Sequence, residues 1–280
     1  SNRVVILGTS GVIASNLINE LQRLSVKILA IGRKEINLKQ KYSYKILSKK
    51  IKSLDTIIFI SAEAPVKNLK MLSNNLKICS NVVSALEYKK IRHLIYISSD
   101  AVYSDINKGI NENSETLPTS LHGFMHLTRE RILKNKFENV LCILRPTLIY
   151  GKGDTHNGYG PNRFLNLVRQ KKNIKLFGKG EELRDHIYID TVVKIIIECI
   201  LKKTKGVFNL ASGKVYSFNY LAKAIIKLSK GKSKILITKR VGKMPHNGFR
   251  PFNIKHLKDN FPNVKFGSLK QNLEEYILKN

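Results

Sequence analysis

The chain of 280 residues is poor in cysteine, proline and acid. Its three cysteines, Cys79, Cys142 and Cys199, lie inside apolar periodic segments, and an odd number cannot close a full set of bridges. A disulfide framework is excluded, and a reducing, cytoplasmic setting is expected. Seventeen glycines and seven prolines follow no repeat, which removes collagen, solenoids and low-complexity disorder. Long apolar runs are also missing: the longest, Thr191 to Leu201, is broken by Lys194 and Glu198, so no membrane insertion is expected. The first residues hold no basic segment followed by an apolar stretch and a cleavage site, and no export signal is read there. Acid is scarce, with 20 Asp and Glu against 50 Lys and Arg and a formal charge of +30. That balance suits nucleic acid or an anionic surface, yet the cations are scattered, mostly as lysines on polar helix faces. Diffuse compositional bias is the leading reading, an anionic small molecule the second and nucleic acid the last.

What is present points to an α/β fold. Arg3 to Leu7 is a continuous β-branched apolar run, Gly8 to Gly11 a glycine turn, and Val12 to Leu24 has helical periodicity. Further strands are read at Val26–Ile31, Thr56–Ile60, His93–Ser98 and Val140–Leu144, with a long helix at Leu69–Tyr88. Strands apolar on both faces and separated by helices predict a Rossmann-like, doubly wound parallel sheet. After Tyr150 comes a glycine-rich loop, then a helix at Arg163–Lys171, an edge-like strand at Ile174–Phe177, a helix at Asp190–Lys202 and a core strand at Val207–Leu210. The tail from Tyr216 holds two helical stretches around a loop rich in Gly, Pro, Asn and aromatics. A dinucleotide-binding core over 1–150, rejoined by 186–213, and a smaller C-terminal α+β substrate lobe of 151–185 and 214–280 follow as the expected domains.

Gly8-Thr9-Ser10-Gly11-Val12-Ile13-Ala14 follows the first strand and opens the first helix, the context of a dinucleotide fingerprint. Gly8 permits the tight turn, Gly11 lets a pyrophosphate approach the backbone, and Ala14 lets the helix lie close on the sheet. An ordinary glycine-rich βα turn is the alternative. The second strand ends Ile31-Gly32-Arg33-Lys34, where an NAD site usually carries an acid for the ribose. Arg33 and Lys34 suit a 2′-phosphate, so NADP(H) is favoured over NAD(H). Against this stand Glu35 and the alternative of two more solvated cations.

Further motifs follow in order: Phe59-Ile60-Ser61-Ala62-Glu63-Ala64, Asn75 in the long helix, and Ile97-Ser98-Ser99-Asp100-Ala101-Val102-Tyr103. Later come Arg145-Pro146-Thr147-Leu148-Ile149-Tyr150-Gly151, Arg184-Asp185-His186-Ile187-Tyr188-Ile189-Asp190 and Phe208-Asn209-Leu210. In these the chain resembles the extended short-chain dehydrogenase/reductases, the NAD(P)-dependent epimerase/dehydratase group acting on nucleotide sugars, over nearly its whole length. The resemblance implies cofactor contacts at Gly8, Thr9, Ser10, Gly11, Val12, Ile13, Ser61, Ala62 and Ser98. It implies a hydrogen bond from Ser99 to the reacting sugar oxygen, and diphosphate binding by Arg184 and Arg250. Asn162 and Phe177 are expected against the base or ribose, and a homodimer through the helix carrying His122. For Ser99-Asp100 the alternative is a strand-end capping turn, and for the two arginines an interlobe salt bridge.

The family's acid/base is a tyrosine four residues before a lysine, usually in YGxSKxxxE. The aligned stretch is His122-Gly123-Phe124-Met125-His126-Leu127-Thr128-Arg129-Glu130, and no other tyrosine has a lysine four residues on. An imidazole, with an ordinary pKa near ~6.5, needs no lysine to exchange protons near neutrality. His122 is expected as acid/base, taking a hydroxyl proton when neutral or giving one to a ketone when protonated. His126, on the same helix face, is expected to hold the nicotinamide ribose. Loss of redox chemistry is the rival. No metal is expected: Gly123 stands where a zinc helix has its glutamate, and His156 is the one further histidine to consider. Asp100 matches the 4,6-dehydratases of the family, but their adjacent glutamate is Ala101, which disfavours dehydration. A ketoreductase or epimerase is therefore expected. The alternative is an altered or inactive member that binds NAD(P) and nucleotide sugar as a sensor or partner subunit.

Overall fold

The computed structural model describes residues 3–105, 108–153 and 157–279. In chain order the elements are β1 (Val4–Leu7), α1 (Val12–Arg23), β2 (Ile28–Ile31), α2 (Ser43–Lys50), β3 (Thr56–Phe59), α3 (Leu69–Leu86) and β4 (His93–Ile97). They continue with α4 (Leu121–Phe137), β5 (Leu141–Pro146), β6 (Leu148–Tyr150), α5 (Pro161–Arg169), β7 (Ile174–Phe177), β8 (Leu183–Tyr188) and α6 (Ile189–Lys202). Last come β9 (Gly206–Leu210), β10 (Val215–Ser217), α7 (Phe218–Leu228), β11 (Ile235–Thr238), β12 (Phe249–Arg250), α8 (Lys255–Asn260) and α9 (Leu269–Leu278).

Two compact units divide the chain. The first runs up to Ser104 and adds Glu112–Pro146 and Val193–Asn209; the second takes Asp105–Asn111, Thr147–Val192 and the chain from Leu210 onward. In the first unit six strands form one sheet in the order β2-β1-β3-β4-β5-β9. β1 pairs in parallel with both β2 and β3, so the chain reverses direction across the sheet at β1. Ligands of open α/β sheets bind outside the carboxyl ends of the strands at such a switch.

Strand residues on both faces are buried, which is why these segments read as unbroken apolar runs. Val5, Leu7, Ile57, Phe59, Leu94, Tyr96, Leu141 and Ile143 share one core with residues of α2, α3 and α4. Cys142, out of step with its neighbours in β5, points to the other face, where its sulfur lies 4.0 Å from that of Cys199 in α6. Helices thus cover both faces. All three cysteines are free and buried, as small core residues.

The second unit is built on β8, which lies between β10 and β12 and also pairs with β6, while β7 pairs with β11. These short strands carry polar residues, and the sequence reading missed β8, β10, β11 and β12. It also assigned 186–213 to the core, whereas 186–192 and 210–213 fall in the second unit, where 186–188 pair with 148–150 of β6. The tail holds three helices rather than two, because the six-residue α8 follows its loop. Among the described residues no helix is long and apolar enough to cross a membrane.

Candidate active site

At the switch point the chain leaves β1 through Gly8, whose φ of +100° and 2.8 Å approach of a would-be Cβ to the Ser61 backbone require glycine. Gly11 is the N-cap of α1, with no side-chain cap and no acid in the first helical turn. A Cβ there would meet nothing within 4 Å. An uncapped helix start with open space before it fits a pyrophosphate, whose charge would meet the amides around Val12 and Ile13 and the positive end of the helix dipole. Thr9 packs against Gly32 at the end of β2, and Ser10 is exposed.

Beyond β2 the charges sort themselves. The Glu35 carboxylate accepts the Gly32 N–H at 2.8 Å. Arg33 extends into solvent, 69% exposed, and reaches Glu63 at 3.4 Å; Lys34 is exposed. Lys39 makes the tighter pair with Glu63 at 2.5 Å, and Asn74 donates to the second carboxylate oxygen at 2.9 Å. Hydrogen bonds from Lys39 and Asn74 hold the Glu63 carboxyl below the usual range. The acid that competes for Arg33 is therefore Glu63, and Lys39 is a cation of this cluster that sequence reasoning passed over.

Both histidines sit near the start of α4, which Ser120 caps by accepting the Gly123 N–H at 3.1 Å. A Cβ on Gly123 would overlap the Ala101 carbonyl oxygen, so glycine lets α4 press against the short turn Asp100–Val102. That approach sets His122 beside Asp100, whose charge is felt by the imidazole. The His122 and His126 rings stand perpendicular, 4.7 Å between centroids. Burial lowers the basicity of His122; Asp100 opposes this and Arg129 adds to it. His126, 5% exposed, is held well below its ordinary value by burial, then by His122 and Arg129. Both shifts favour the neutral rings, so of the two forms expected of His122 the environment favours the neutral base over the protonated donor. Val66 N–H approaches His122 Nδ1 at 3.5 Å, too far to fix the tautomer. The Ser99 hydroxyl caps the short turn by accepting the Ala101 N–H at 3.2 Å and lies 3.4 Å from the Asp100 carboxylate.

Beneath the pair lie groups that sequence reasoning did not single out. Tyr96 of β4 meets His126 Nδ1 with its hydroxyl at 2.7 Å. Arg129, fully buried, donates to the carbonyls of Asn75 and Ser61 and to the Asn75 side chain. Glu130 takes both guanidinium branches of Arg145 and accepts the Ser98 hydroxyl at 2.5 Å. The Ser98 hydroxyl thus has its hydrogen committed to Glu130 and keeps only acceptor capacity. Arg129 was visible in the aligned segment and Tyr96 two residues before Ser98, but neither residue type announces a role there.

In the second unit Arg184 and Arg250 are register partners in the parallel pair β8 and β12. Each is closed by an acid, Arg184 by Glu182 at 3.0 Å and Arg250 by Asp105 at 3.2 Å. His246 Nδ1 contacts the same Asp105 oxygen at 2.5 Å. Burial, then the two arginines, lower its basicity. Asn162 accepts the Gly151 N–H at 3.0 Å, and Phe177, 49% exposed, packs on Tyr159 with centroids 5.0 Å apart. Among the described residues no three His, Cys, Asp or Glu side chains gather to hold a metal ion, and His156 lies outside those residues.

A sequence profile described as the NAD dependent epimerase/dehydratase family matches residues 4–211. The chain belongs to the NAD dependent epimerase/dehydratase family. It is 30% identical over 174 residues to an ADP-L-glycero-D-manno-heptose-6-epimerase of Brachyspira hyodysenteriae, covering 58% of this chain and 54% of that one. To a dTDP-D-glucose 4,6-dehydratase of Dictyostelium discoideum it is 25% identical over 272 residues, covering 81% of this chain and 62% of that one. The matches therefore span less than two thirds of either relative. A UDP-glucose 4-epimerase of Thermus thermophilus, solved in complex with NAD, superposes with a TM-score of 0.84 at 15% identity, over 98% of this chain and 97% of that one. At that identity the likeness speaks for the epimerase/dehydratase fold alone.

Proposed function

We propose that the chain is a nucleotide-sugar epimerase or ketoreductase with a histidine acid/base, using NADP(H) in preference to NAD(H). The observation that carries this reading is the pair of neutral imidazoles, 4.7 Å apart, in the same unit as the uncapped glycine turn. Gly8, Gly11 and the amides around Val12 and Ile13 suit the pyrophosphate, and Arg33 and Lys34 the 2′-phosphate, which would displace the loosely held Glu63 from Arg33. Ser61, Ala62 and Ser98 complete the cofactor side through backbone groups, and His126 offers a ring nitrogen to the ribose. A bound nicotinamide supplies reversible hydride acceptance. His122, neutral at rest, takes the proton of a sugar hydroxyl on a ring nitrogen, with Ser99 bonding the same oxygen, and returns it in the reverse step. A resting base suits a reaction that begins by oxidation, so epimerisation is the stronger half of the proposal. Ala101 offers no acid for dehydration. Arg184 and Arg250 are proposed for the substrate diphosphate, with Asn162 and Phe177 near its nucleoside. An α4-to-α4 homodimer would cover the exposed Leu121, Phe124 and Ile132.

The test is turnover of a panel of nucleotide sugars with NADP+ or NAD+ between pH 5 and 9. Activity should fall as pH drops through the depressed pKa of His122, and His122→Ala should cost roughly 10²- to 10⁴-fold. Full turnover in His122→Ala, or a flat profile, removes the assignment. One observation favours a second reading, a binding protein that does not turn over: the Ser99 hydroxyl is already engaged as a turn cap. Tight NADP(H) binding without turnover, even in the double variant His122→Tyr, His126→Lys, would decide for it.

A further inference from the structure

The hydroxyl of Tyr96 raises a question of proton direction. Tyr96 is fully buried between β4 and α4, and burial pushes its phenol far above the ordinary value, so it keeps its proton at any pH the fold survives. The nearby cation, Arg129, is felt by the phenol, and a guanidinium cannot act as an acceptor. The O–H must then find an acceptor elsewhere, because an unpaired buried hydroxyl costs about 1–3 kcal/mol. Among the described residues that acceptor is His126 Nδ1, at 2.7 Å. A neutral imidazole that accepts at Nδ1 carries its hydrogen on Nε2.

We propose that Tyr96 and His126 form a hydrogen-bond chain of fixed polarity, in which Tyr96 is a positioning residue that locks His126 as a neutral Nε2–H donor. The sense of the chain is set at its buried end, where the neighbouring cation, Arg129, can only donate and does so to the carbonyls of Ser61 and Asn75 and the Asn75 side chain. Phe59, whose ring lies 5.1 Å from the Arg129 guanidinium and 5.3 Å from the Tyr96 ring, packs there without competing for a hydrogen bond. The groups facing His126 are thus Tyr96 from β4 and His122 and Arg129 from its own helix, with Asp100 beyond His122. In place of a mobile lysine ammonium, the protein presents a ring nitrogen with one hydrogen in one direction, a geometry suited to a hydroxyl acceptor such as a ribose oxygen. The chemical use of that donor rests on the proposed function; the polarity of the chain does not.

The tautomer can be read without cofactor or substrate, from two-bond ¹⁵N–¹H correlations of the ¹⁵N-labelled protein between pH 6 and 8. His126 should show the Nε2–H pattern, while His186, whose Nδ1 faces the Arg184 carbonyl at 3.1 Å, should show the opposite one in the same spectrum. Tyr96→Phe removes only the hydroxyl, and in it the His126 signals should move to a mixture of both forms, with affinity for NADPH about tenfold weaker for the loss of one oriented hydrogen bond. A wild-type His126 carrying its hydrogen on Nδ1, or a pattern unchanged in Tyr96→Phe, overturns the proposal. If the variant does not fold, the wild-type spectrum alone decides: the Nε2–H pattern on His126 upholds the proposal, and a hydrogen on Nδ1 overturns it. Failure to turn over any sugar would count against the proposed function and leave the tautomer result standing.

Discussion

The two units differ in how completely they close their inward-facing arginines. In the second unit Arg184 and Arg250 are neighbours in register, and each is closed by a carboxylate, Glu182 or Asp105. In the first unit Arg145 is likewise closed by Glu130, but Arg129, one residue before that glutamate, is held by uncharged oxygens. Closure does not silence a cation, since Arg184 and Arg250 still lower the basicity of His246, and Arg184 that of His186. One left open depresses protonation of its neighbours too, and Arg129 does so at both His122 and His126. The difference teaches that the histidine pair of the first unit has beside it a cation that no carboxylate takes up. That cation is buried and adds to the burial that lowers the basicity of both imidazoles.

The sharpest way to break this contrast is to open a closed arginine. Both members of the Arg184–Glu182 pair are buried, with side chains 11% and 6% exposed. Glu182→Ala should cost about 3–5 kcal/mol, the range for stranding one partner of a buried pair. A denaturant midpoint would show it. A loss below about 1 kcal/mol would mean that the pair is screened like a surface bridge and that the contrast with Arg129 is empty.

Arg129→Met attacks the comparison from the other side. The variant leaves the Ser61 and Asn75 carbonyls without their donor, for a smaller loss of about 1–3 kcal/mol. Its diagnostic effect is on titration: with the cation gone, the NMR midpoints of His122 and His126 should rise toward the ordinary histidine value. Unmoved midpoints would leave burial as the only cause of their neutrality.

What the sequence made legible follows the same division. Strands β1, β3, β4 and β5 are buried on both faces, so their apolar runs stood out, and the glycine turn and the two histidines were marked by motif spacing. Helix α2 escaped notice because Ser43 and Leu47 are its only buried residues. The strands around β8 are short and polar and gain their identity from partners distant in the chain, such as Val215 against Asp185 and Phe249 against Leu183. Tyr96 reads as one more apolar strand residue and Arg129 as one of 50 cations. Their roles exist only once β4 and α4 are packed. The pairing of Lys39 with Glu63 depends equally on contact across 24 residues.

The smallest expected effect concerns His186, a buried histidine of the second unit. His186 is brought to about 3, chiefly by burial and then by Arg184, and its Nε2 has no hydrogen-bond partner among the described residues. In the unfolded chain the same ring protonates near ~6.5. Its folded pKa is depressed, so its contribution to stability is present above pH ~6.5 and is lost as pH falls toward the folded value. Asp185, the preceding residue, runs the other way: burial raises it to about 6, so its contribution is present at acid pH and lost as pH rises through 6. A single stability curve would blur the two. The difference between wild type and His186→Phe isolates the histidine, because Asp185 is common to both. From pH 7 to pH 6 wild type should lose about 0.7 kcal/mol relative to the variant, and progressively more below pH 6. Parallel curves would mean that the His186 site admits a proton, with its open Nε2 as the place to receive it.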